Sequence, residues 1–207
     1  MKQNKINNKF VYLISPNKIT DINFYNDLAL VLSSKKISFF QLRLKKETNL
    51  NKLIIGKKIK KICNKYKVKF LINDDPLLAK KLNADGCHLG QKDMDLMSAR
   101  KILKNKIIGV TCHNSINLAK RAIKDGADYL AFGAFYATKT KTVKHRVSLT
   151  ILKSIKKITN LPIVAIGGIK LSNYKKLLLN KANFLAISGY IWNNKKYKPL
   201  EAIKKLK

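Results

Sequence analysis

The chain has 207 residues, and its 46% hydrophobic content is enough to fill one sizeable core. No apolar run reaches the roughly 18 residues of a membrane-spanning helix, which excludes an integral membrane protein of the helical class. The basic start, MKQNKINNKF, has no apolar stretch behind it of the kind that signal peptides carry. We therefore expect a cytoplasmic protein with one domain over residues 1–207, of which 1–9 form a flexible basic segment.

The charge is strongly positive: 44 Lys and Arg stand against 11 Asp and Glu, a net charge of +33. Such a balance is typical of nucleic-acid binders, yet only four of the basic residues are arginine, the residue best suited to bidentate phosphate and base contacts. The lysines are spread over nearly every segment. We therefore favour a solvated lysine coat that attracts anionic substrates, with no specific nucleic-acid partner.

The chain contains three cysteines, Cys63, Cys87 and Cys112, without CxxC spacing. An odd number of isolated cysteines, each flanked by apolar residues, predicts reduced thiols that pack in the core. This is typical of a cytosolic compartment.

Eight short apolar runs rich in β-branched and aromatic residues predict strands. They cover Val11–Ile14, Phe39–Leu42, Phe70–Ile72, Cys87–Leu89, Ile107–Val110, Tyr129–Phe132, Ile163–Ile166 and Phe184–Ile187. Amphipathic segments between and after them predict helices over Asn23–Leu32, Leu50–Tyr66, Leu77–Leu82, Leu96–Leu103, Ile116–Lys124, Leu149–Ile158, Leu171–Leu179 and Leu200–Leu206. Strands that alternate with helices predict a parallel sheet, because parallel neighbours need a crossover.

Eight such units in a chain of this length predict a single-domain α/β fold, the (β/α)8 TIM barrel. An open doubly wound sheet is the alternative, but no GxGxxG motif follows the first strand to support a dinucleotide site. Asp85-Gly86 and the segment 125–128 resemble tight turns before the fourth and sixth strands. We expect those turns on the N-terminal, structural side of the barrel.

The ends of the predicted strands carry polar residues that a hydrophobic core would not select. Gln41, Arg43 and Lys45 alternate with leucines, so that all three point to one side, into the barrel mouth. The other strand ends are followed by Asn73-Asp74-Asp75, His88 to Asp93, Thr111-Cys112-His113, Thr138 to Lys141, Gly167-Gly168 and Ser188-Gly189. Catalytic residues of a (β/α)8 barrel lie on this rim.

Four of the few acidic residues lie on two neighbouring strand-end loops. Carboxylates from adjacent loops suit Mg²⁺, which takes one or two of them and completes its shell with water and phosphate. Helix capping is the competing role, because Asp75 precedes Pro76 and Asp95 precedes an apolar helix. We assign Asp74 and Asp93 to the metal, and Asp75 and Asp95 to capping.

Two further positions carry weaker signals. Gly167-Gly168 and Ser188-Gly189 follow the seventh and eighth strands, where barrels commonly bind phosphate through backbone N–H groups. His113 and His88 could act as bases or metal ligands, but a lone histidine after a strand is more often a hydrogen-bonded structural group, and we favour that role for both.

In chain order, these strand ends resemble the thiamine phosphate synthase family over nearly the whole sequence. The matching motifs are QLRLK (41–45), LINDD (71–75), ADGCHLGQKD (84–93), GVTCHN (109–114), GADYLAFGAFYATKTK (126–141), PIVAIGGI (162–169) and LAISG (185–189). The resemblance implies a transferase on a (β/α)8 barrel. Such an enzyme joins a pyrimidine methyl diphosphate to a thiazole phosphate and releases pyrophosphate with Mg²⁺.

The resemblance also implies roles for individual residues. The residues implied to bind the pyrimidine diphosphate are Gln41, Leu42, Arg43, Leu44, Lys45, Asn73, Thr111 and Lys141. Among them Arg43, Lys45 and Lys141 are the catalytic cations, and Asp74 and Asp93 hold Mg²⁺. The residues implied to bind the thiazole phosphate are Thr138, Lys139, Thr140, Gly168, Ile187 and Ser188. The resemblance implies a dissociative path that needs no protein nucleophile, which agrees with the lack of a Ser–His–Asp pattern.

Two alternatives remain at this point. The related thiazole tautomerase shares the fold, but its catalytic histidine would fall at Ala134, and it does not need the diphosphate and metal residues. A non-catalytic, nucleic-acid-binding barrel would need its lysines on one face with aromatic residues among them. The partners we expect are small phosphorylated substrates, with no membrane; the sequence leaves a homo-oligomer open.

Overall fold

The computed structural model describes residues 9–19, 21–138 and 146–207. In these residues the parallel strands pair in chain order, and β1 also pairs with β8, so that the sheet closes into a barrel. The strands are β1 (Val11–Ile14), β2 (Ile37–Leu42), β3 (Lys69–Asn73), β4 (Gly86–Leu89), β5 (Ile107–His113), β6 (Tyr129–Gly133), β7 (Ile163–Ile166) and β8 (Phe184–Ile187). The predicted (β/α)8 barrel is confirmed.

Helices cross from each strand to the next around the outside of the barrel. They are α1 (Asn23–Ser33), α2 (Asn49–Lys65), α3 (Pro76–Lys81), α4 (Leu96–Leu103), α5 (Ile116–Lys124), α6 (Thr150–Lys156), α7 (Tyr174–Leu179), α8 (Gly189–Trp192) and α9 (Pro199–Lys205). Across the described ranges, no helix combines the length and the apolar character that a membrane crossing requires.

The prediction for α7 begins too early, because the helix starts at Tyr174 and not at Leu171. The side chain of Asn173 explains the delay: its Oδ1 accepts from the backbone N of Lys170 at 2.9 Å, and its Nδ2 donates to the carbonyl of Gly168 at 3.0 Å. These local bonds offer the backbone an alternative to the helical ladder. The four-residue α8 was not predicted, since one turn shows no apolar periodicity.

Asp75 and Asp95 cap helices, as predicted. Asp75 Oδ1 accepts from the backbone N of Leu78 at 2.9 Å, and Asp95 Oδ1 accepts from that of Ser98 at 3.0 Å. Each bond satisfies one of the N–H groups that a helix leaves open at its first turn. Both helices therefore start at defined positions on the rim that also carries Asp74 and Asp93.

The core has two layers. Inside the barrel lies a small cluster of buried residues: Tyr12, Leu71, Tyr129, Ala131, Val164 and Ala186. A much larger layer fills the space between the sheet and the helices and includes all three cysteines, as expected of packing thiols. Burial raises the pKa of each thiol, that of Cys112 to about 12, so the cysteines stay protonated at neutral pH.

Polar turns close the opposite, N-terminal end of the barrel. Asp128 Oδ2 accepts from the backbone N of Ile108 at 2.7 Å and from Arg100 NH2 at 2.7 Å. Asp85 repeats the pattern two strands earlier, with the backbone N of Phe70 at 3.0 Å and Lys69 Nζ at 2.9 Å. The two predicted turns thus stabilise the structural face, as expected.

We expect Asp128→Ala to lower the free energy of unfolding by about 1–3 kcal/mol, because it leaves the backbone N–H of Ile108 without its acceptor. Asp125→Ala is the matched control: it removes a carboxylate whose described ion pair is long at 3.7 Å and whose partner, Arg121, is 76% exposed. Such pairs contribute about 0–1 kcal/mol. Urea unfolding measures both variants, and equal losses would contradict the role of Asp128.

Candidate active site

The pyrimidine-side residues meet at the carboxyl ends of β2 and β3. Gln41 is only 2% exposed, and its Nε2 donates to Asn73 Oδ1 at 2.7 Å. Strand alternation directs the flanking Leu42 outward into the layer under the helices, which leaves Gln41 facing the barrel interior. The two amides form a polar floor with free donor and acceptor positions for a ligand ring.

Leu42 and Leu44, also predicted in the pyrimidine site, have their side chains in the outer hydrophobic layer. They line a cavity of about 200 Å³ between the ends of β2 and β3, together with Lys45, Lys52 and Asp74 among others. A substrate in the barrel mouth would therefore meet the backbone of these two leucines rather than their side chains.

Arg43 is held in place by the loop after β1. Its backbone N donates to Ser15 Oγ at 2.9 Å, and its NH1 donates to Asn17 Oδ1 at 3.0 Å. Ser188 Oγ donates to the carbonyl of Ser15 at 3.1 Å, which links the ends of β1, β2 and β8. Burial lowers the pKa of the Arg43 guanidinium and the nearby Asp74 raises it; an arginine remains charged at neutral pH in either case.

Asp74 and Asp93 lie together although 19 residues separate them in the chain. Lys45 Nζ is 2.9 Å from Asp74 Oδ2, while Asp93 Oδ2 accepts from the backbone N of Gly90 at 2.7 Å. Asp74 has a φ of 65° and donates its backbone N–H to the carbonyl of His88 at 2.8 Å. The backbone of β4 therefore fixes an unusual conformation that aims the carboxylate along the rim.

The two carboxylates are close enough to hydrogen-bond to each other. Burial raises the pKa of Asp74, but the hydrogen bonds from Lys45 and from Asp93 bring it below its ordinary value. Burial and the neighbouring Asp74 raise the pKa of Asp93. Two adjacent carboxylates form a place where a divalent cation fits, because the cation compensates both charges.

The two carboxylates of Asp74 and Asp93 suit Mg²⁺ better than they suit a metal that takes all of its ligands from the protein. In the described part of the chain, no cluster of three or more His, Cys, Asp or Glu side chains is arranged around one metal position. Mg²⁺ commonly binds through one or two carboxylates and takes its remaining oxygens from water and phosphate. Asp74 and Asp93 are the residues that could hold it.

A buried chain of hydrogen bonds lies inside the barrel below this rim. The hydroxyls of Tyr12 and Tyr129 are 2.8 Å apart, and the Tyr129 hydroxyl is 2.8 Å from His88 Nδ1. On its other side, His88 Nε2 is 2.8 Å from Thr111 Oγ1. Burial lowers the pKa of His88 to about 4. The interpretation of His88 as a hydrogen-bonded group is confirmed, and its partner Thr111 is a predicted substrate contact.

The predicted phosphate side is built on tight backbone packing. Gly167 and Gly168 have φ values of 100° and 61°, and a Cβ on Gly168 would lie 2.2 Å from the carbonyl O of Ala137. Glycine is therefore required where the loop after β7 contacts the loop after β6. Thr138 is half-buried in that second loop. Lys139, Thr140 and Lys141 lie outside the described residues.

Ile187 and Ser188 end β8 beside this loop. Ile187 is 1% exposed, and its side chain packs in the outer layer, so that its backbone alone faces the rim. Ser188 precedes the one-turn helix α8, and its hydroxyl is committed to Ser15.

Four residues of the rim and the interior were not predicted as functional. Ser15 and Asn17 follow β1, the one strand whose end we left without a polar candidate, and a buried serine directly after an apolar strand was the available signal. Tyr12 and Tyr129 were assigned only to strands. Nothing in the sequence shows that their hydroxyls meet inside the barrel.

Comparison with known proteins decides the family. The family model described as thiamine monophosphate synthase matches residues 11–191. The chain belongs to the thiamine monophosphate synthase family. Members similar to it include the thiamine-phosphate synthase of Pelagibacter ubique HTCC1062, 94% identical over 207 residues and all of both chains. Another, from Hyphomonas neptunium, is 40% identical over 190 residues, 89% of this chain and 86% of that one.

A solved structure supports the same assignment. The thiamine phosphate pyrophosphorylase from Pyrococcus furiosus aligns with a TM-score of 0.84 at 27% identity and covers 98% of this chain and 96% of that one. The match to the family model, over residues 11–191, thus spans all eight strands.

We expect Gly168→Ala to lower the free energy of unfolding by about 1–3 kcal/mol, because the new Cβ meets backbone at a positive φ. Gly189→Ala is the matched control one strand further on, since a Cβ there meets nothing within 4 Å. We expect that variant to stay within about 0.5 kcal/mol of the parent. Thermal or urea unfolding would contradict the packing argument if the two glycines tolerated alanine equally.

Proposed function

We propose that the protein is a thiamine-phosphate synthase, a transferase that joins a pyrimidine methyl diphosphate to a thiazole phosphate and releases pyrophosphate. The observation that carries the proposal is the meeting of Asp74 and Asp93 with Arg43 and Lys45 on one rim. Two carboxylates for a metal beside two cations form a site for a diphosphate. The relative that is 94% identical over its full length bears the same name.

The metal in this proposal is Mg²⁺, held by Asp74 and Asp93. When bound, Mg²⁺ neutralises charge on the diphosphate oxygens and orients them. Lys45 already pairs with Asp74, so its ammonium lies beside the proposed metal site. There it can bind the diphosphate as negative charge develops on the departing pyrophosphate.

The reaction breaks the bond between the pyrimidine methylene carbon and the diphosphate oxygen, and the oxygen keeps the electron pair. Arg43 and Lys45 stabilise the negative charge on the departing pyrophosphate, and groups aimed in advance at developing charge give the largest catalytic effects. The lone pair of the thiazole nitrogen then forms the new bond to the methylene carbon. No protein nucleophile takes part. Lys141, beyond the described ranges, is proposed as a third cation on the diphosphate.

The remaining residues bind and orient the two substrates. Gln41, Asn73 and Thr111 contact the pyrimidine from the floor of the barrel, and the backbone of Leu42 and Leu44 borders the diphosphate. The thiazole phosphate is bound by Thr138, Lys139, Thr140, Gly168, Ile187 and Ser188. The close packing of the two loops at Gly168 supports this second site, because it leaves backbone rather than side chains at the rim.

The competing functions find less support. Three of the four arginines already have partners within the protein: Arg43 contacts Asn17, Arg100 contacts Asp128, and Arg121 pairs with Asp125. A nucleic-acid interface would need such residues free on one face. A tautomerase would have no use for paired carboxylates. Buried, unpaired thiols support a cytoplasmic location, and a homo-oligomer remains compatible with the proposal.

We expect Arg43→Ala to reduce pyrophosphate release by at least about 100-fold, because the site loses a cation aimed at the leaving group. Arg121→Ala, which removes an exposed arginine from α5, should leave the rate unchanged. A coupled assay for pyrophosphate with both substrates measures the rates, and circular dichroism checks that each variant is folded.

We expect Asp93→Ala to abolish the Mg²⁺-dependent release of pyrophosphate while the fold stays intact, since the one carboxylate that remains, Asp74, is already paired with Lys45. Asp125→Ala serves as the carboxylate control on the outer surface. Full activity of the parent protein in excess chelator, or full activity of Asp93→Ala, would overturn the metal assignment.

A further inference from the structure

The buried chain from Tyr12 to Thr111 has a direction, and the direction decides what Thr111 can offer to a ligand. Each hydroxyl carries one hydrogen, and a neutral imidazole carries one N–H and one bare nitrogen. The three links are all 2.8 Å long, so each holds one hydrogen between two heavy atoms. Three arrangements of the hydrogens are then consistent with a neutral His88, one with hydrogen on Nε2 and two with hydrogen on Nδ1.

In the first arrangement all hydrogens point toward Thr111. The Tyr12 hydroxyl donates to Tyr129, Tyr129 donates to His88 Nδ1, and His88 Nε2–H donates to Thr111 Oγ1. The hydrogens of Tyr12, Tyr129 and His88 then all have acceptors. The hydrogen of the Thr111 hydroxyl is left over and points away from His88, on the most exposed of the three hydroxyl residues: Thr111 is 8% exposed, against 2% for Tyr12 and 3% for Tyr129.

In the other two arrangements His88 carries its hydrogen on Nδ1. Thr111 donates to His88 Nε2, His88 Nδ1–H donates to Tyr129, and either tyrosine hydroxyl donates to the other. The hydrogen of the remaining tyrosine hydroxyl then has no acceptor among the described residues, and Tyr12 and Tyr129 are only 2% and 3% exposed. A doubly protonated His88 also leaves one tyrosine hydrogen unpartnered and buries a charge as well.

An unpartnered buried hydroxyl hydrogen disfavours an arrangement by a factor of about ten or more. The surroundings offer no relief, since Tyr12 packs against Phe39 and the edge of Tyr129 inside the barrel. The ring of His88 stacks on Tyr129 with centroids 5.6 Å apart, and both of its nitrogens are hydrogen-bonded in this orientation. The first arrangement therefore prevails.

We propose that Tyr12 and Tyr129 hold His88 as the tautomer with hydrogen on Nε2, and thereby make the Thr111 hydroxyl a donor to a ring nitrogen of the bound pyrimidine. Tyr12, Tyr129 and His88 are positioning residues, which act on the substrate through Thr111. The choice of a ring nitrogen as the acceptor rests on the proposed function. The direction of the hydrogen bonds from Tyr12 to Thr111 is independent of that function.

The proposal implies selection at one atom of the substrate. A ring nitrogen with a lone pair accepts from Thr111, whereas a C–H or N–H group at that place meets a hydroxyl hydrogen and gains no bond. A site built to hydrogen-bond one polar atom rejects analogues that lack it much more strongly than an apolar pocket does.

The tautomer of His88 tests the direction without any substrate. The full-length protein is labelled with ¹⁵N-histidine, and the ring nitrogens are observed by NMR at neutral pH. The chain has three histidines, so the signal retained in both His113→Gln and His145→Gln belongs to His88. We expect hydrogen on Nε2 and a bare Nδ1. Hydrogen on Nδ1, or on both nitrogens, overturns the proposal.

Tyr129→Phe tests whether the tyrosine sets the tautomer. The variant removes the donor to Nδ1, so we expect the His88 signals to move toward a mixture of the two neutral forms. Tyr66→Phe, at the C-terminal end of α2, is the matched control and should leave them unchanged. A Tyr129→Phe protein that keeps the single parental tautomer overturns the role of Tyr129.

Binding of the pyrimidine diphosphate tests the donor role of Thr111, with the thiazole phosphate left out. We expect Thr111→Val to raise the Kd about 10–100-fold, and Thr111→Ser to change it less than about threefold. The same measurement is made with two analogues, each with one ring nitrogen replaced by C–H. For the analogue that lacks the nitrogen bound by Thr111, Thr111→Val should raise the Kd less than about threefold, because that analogue has no acceptor for the Thr111 hydroxyl.

Equal losses for Thr111→Val with both analogues overturn the ring-nitrogen assignment. Failure of the protein to form thiamine phosphate from the two substrates would instead refute the proposed function, and the NMR result on His88 would stand apart from it. The two failures are thus distinguishable.

Discussion

The pairing of β1 with β8 is the constraint on which the rest of the structure depends. It closes the sheet, so that the carboxyl ends of all strands share one rim, and it brings Ser188 at the end of β8 to Ser15 at the end of β1. Ser15 in turn accepts from the backbone N of Arg43, whose guanidinium donates to Asn17 in the loop after β1. In an open sheet these strand ends would lie at opposite edges, and the cation would have no support.

The rim carries a pair of adjacent carboxylates although the chain as a whole is strongly positive. The protein carries a net charge of +33, yet two carboxylates approach closely enough to share a hydrogen bond. Their proximity is unfavourable unless a cation compensates it. Lys45 does so for Asp74 in the described structure. A positive surface of this kind favours the approach of anions, while an acidic pair suits a divalent cation.

The barrel interior shows why buried polar groups constrain one another. Tyr12, Tyr129, His88 and Thr111 come from β1, β6, β4 and β5, and each link between them is a single hydrogen bond. Because a buried donor without an acceptor is costly, the orientation of one hydroxyl fixes the next. The hydroxyl of Tyr12 can therefore set the hydrogen-bonding role of Thr111, three hydrogen bonds away.

The sequence by itself determined the fold class, the eight strands and most helix bounds, because periodicity and turn residues are local properties. It also located the rim residues, because polar side chains directly after an apolar strand are visible in the sequence and would not be selected for a hydrophobic core. Asp75 and Asp95 could be separated from Asp74 and Asp93 for the same reason: capping depends on the next few residues.

Only the tertiary structure decided which side chains meet. Three examples are the contact between Asp74 and Asp93, the support of Arg43 by Asn17, and the hydrogen-bond chain from Tyr12 to Thr111. The residues that they join are 19 to 117 positions apart in the sequence. Tyr12 and Tyr129 look like ordinary strand residues, because aromatic rings suit any sheet. The sequence alone does not show these contacts, because barrel closure and strand register, not local sequence, set the distance between two inward-facing side chains.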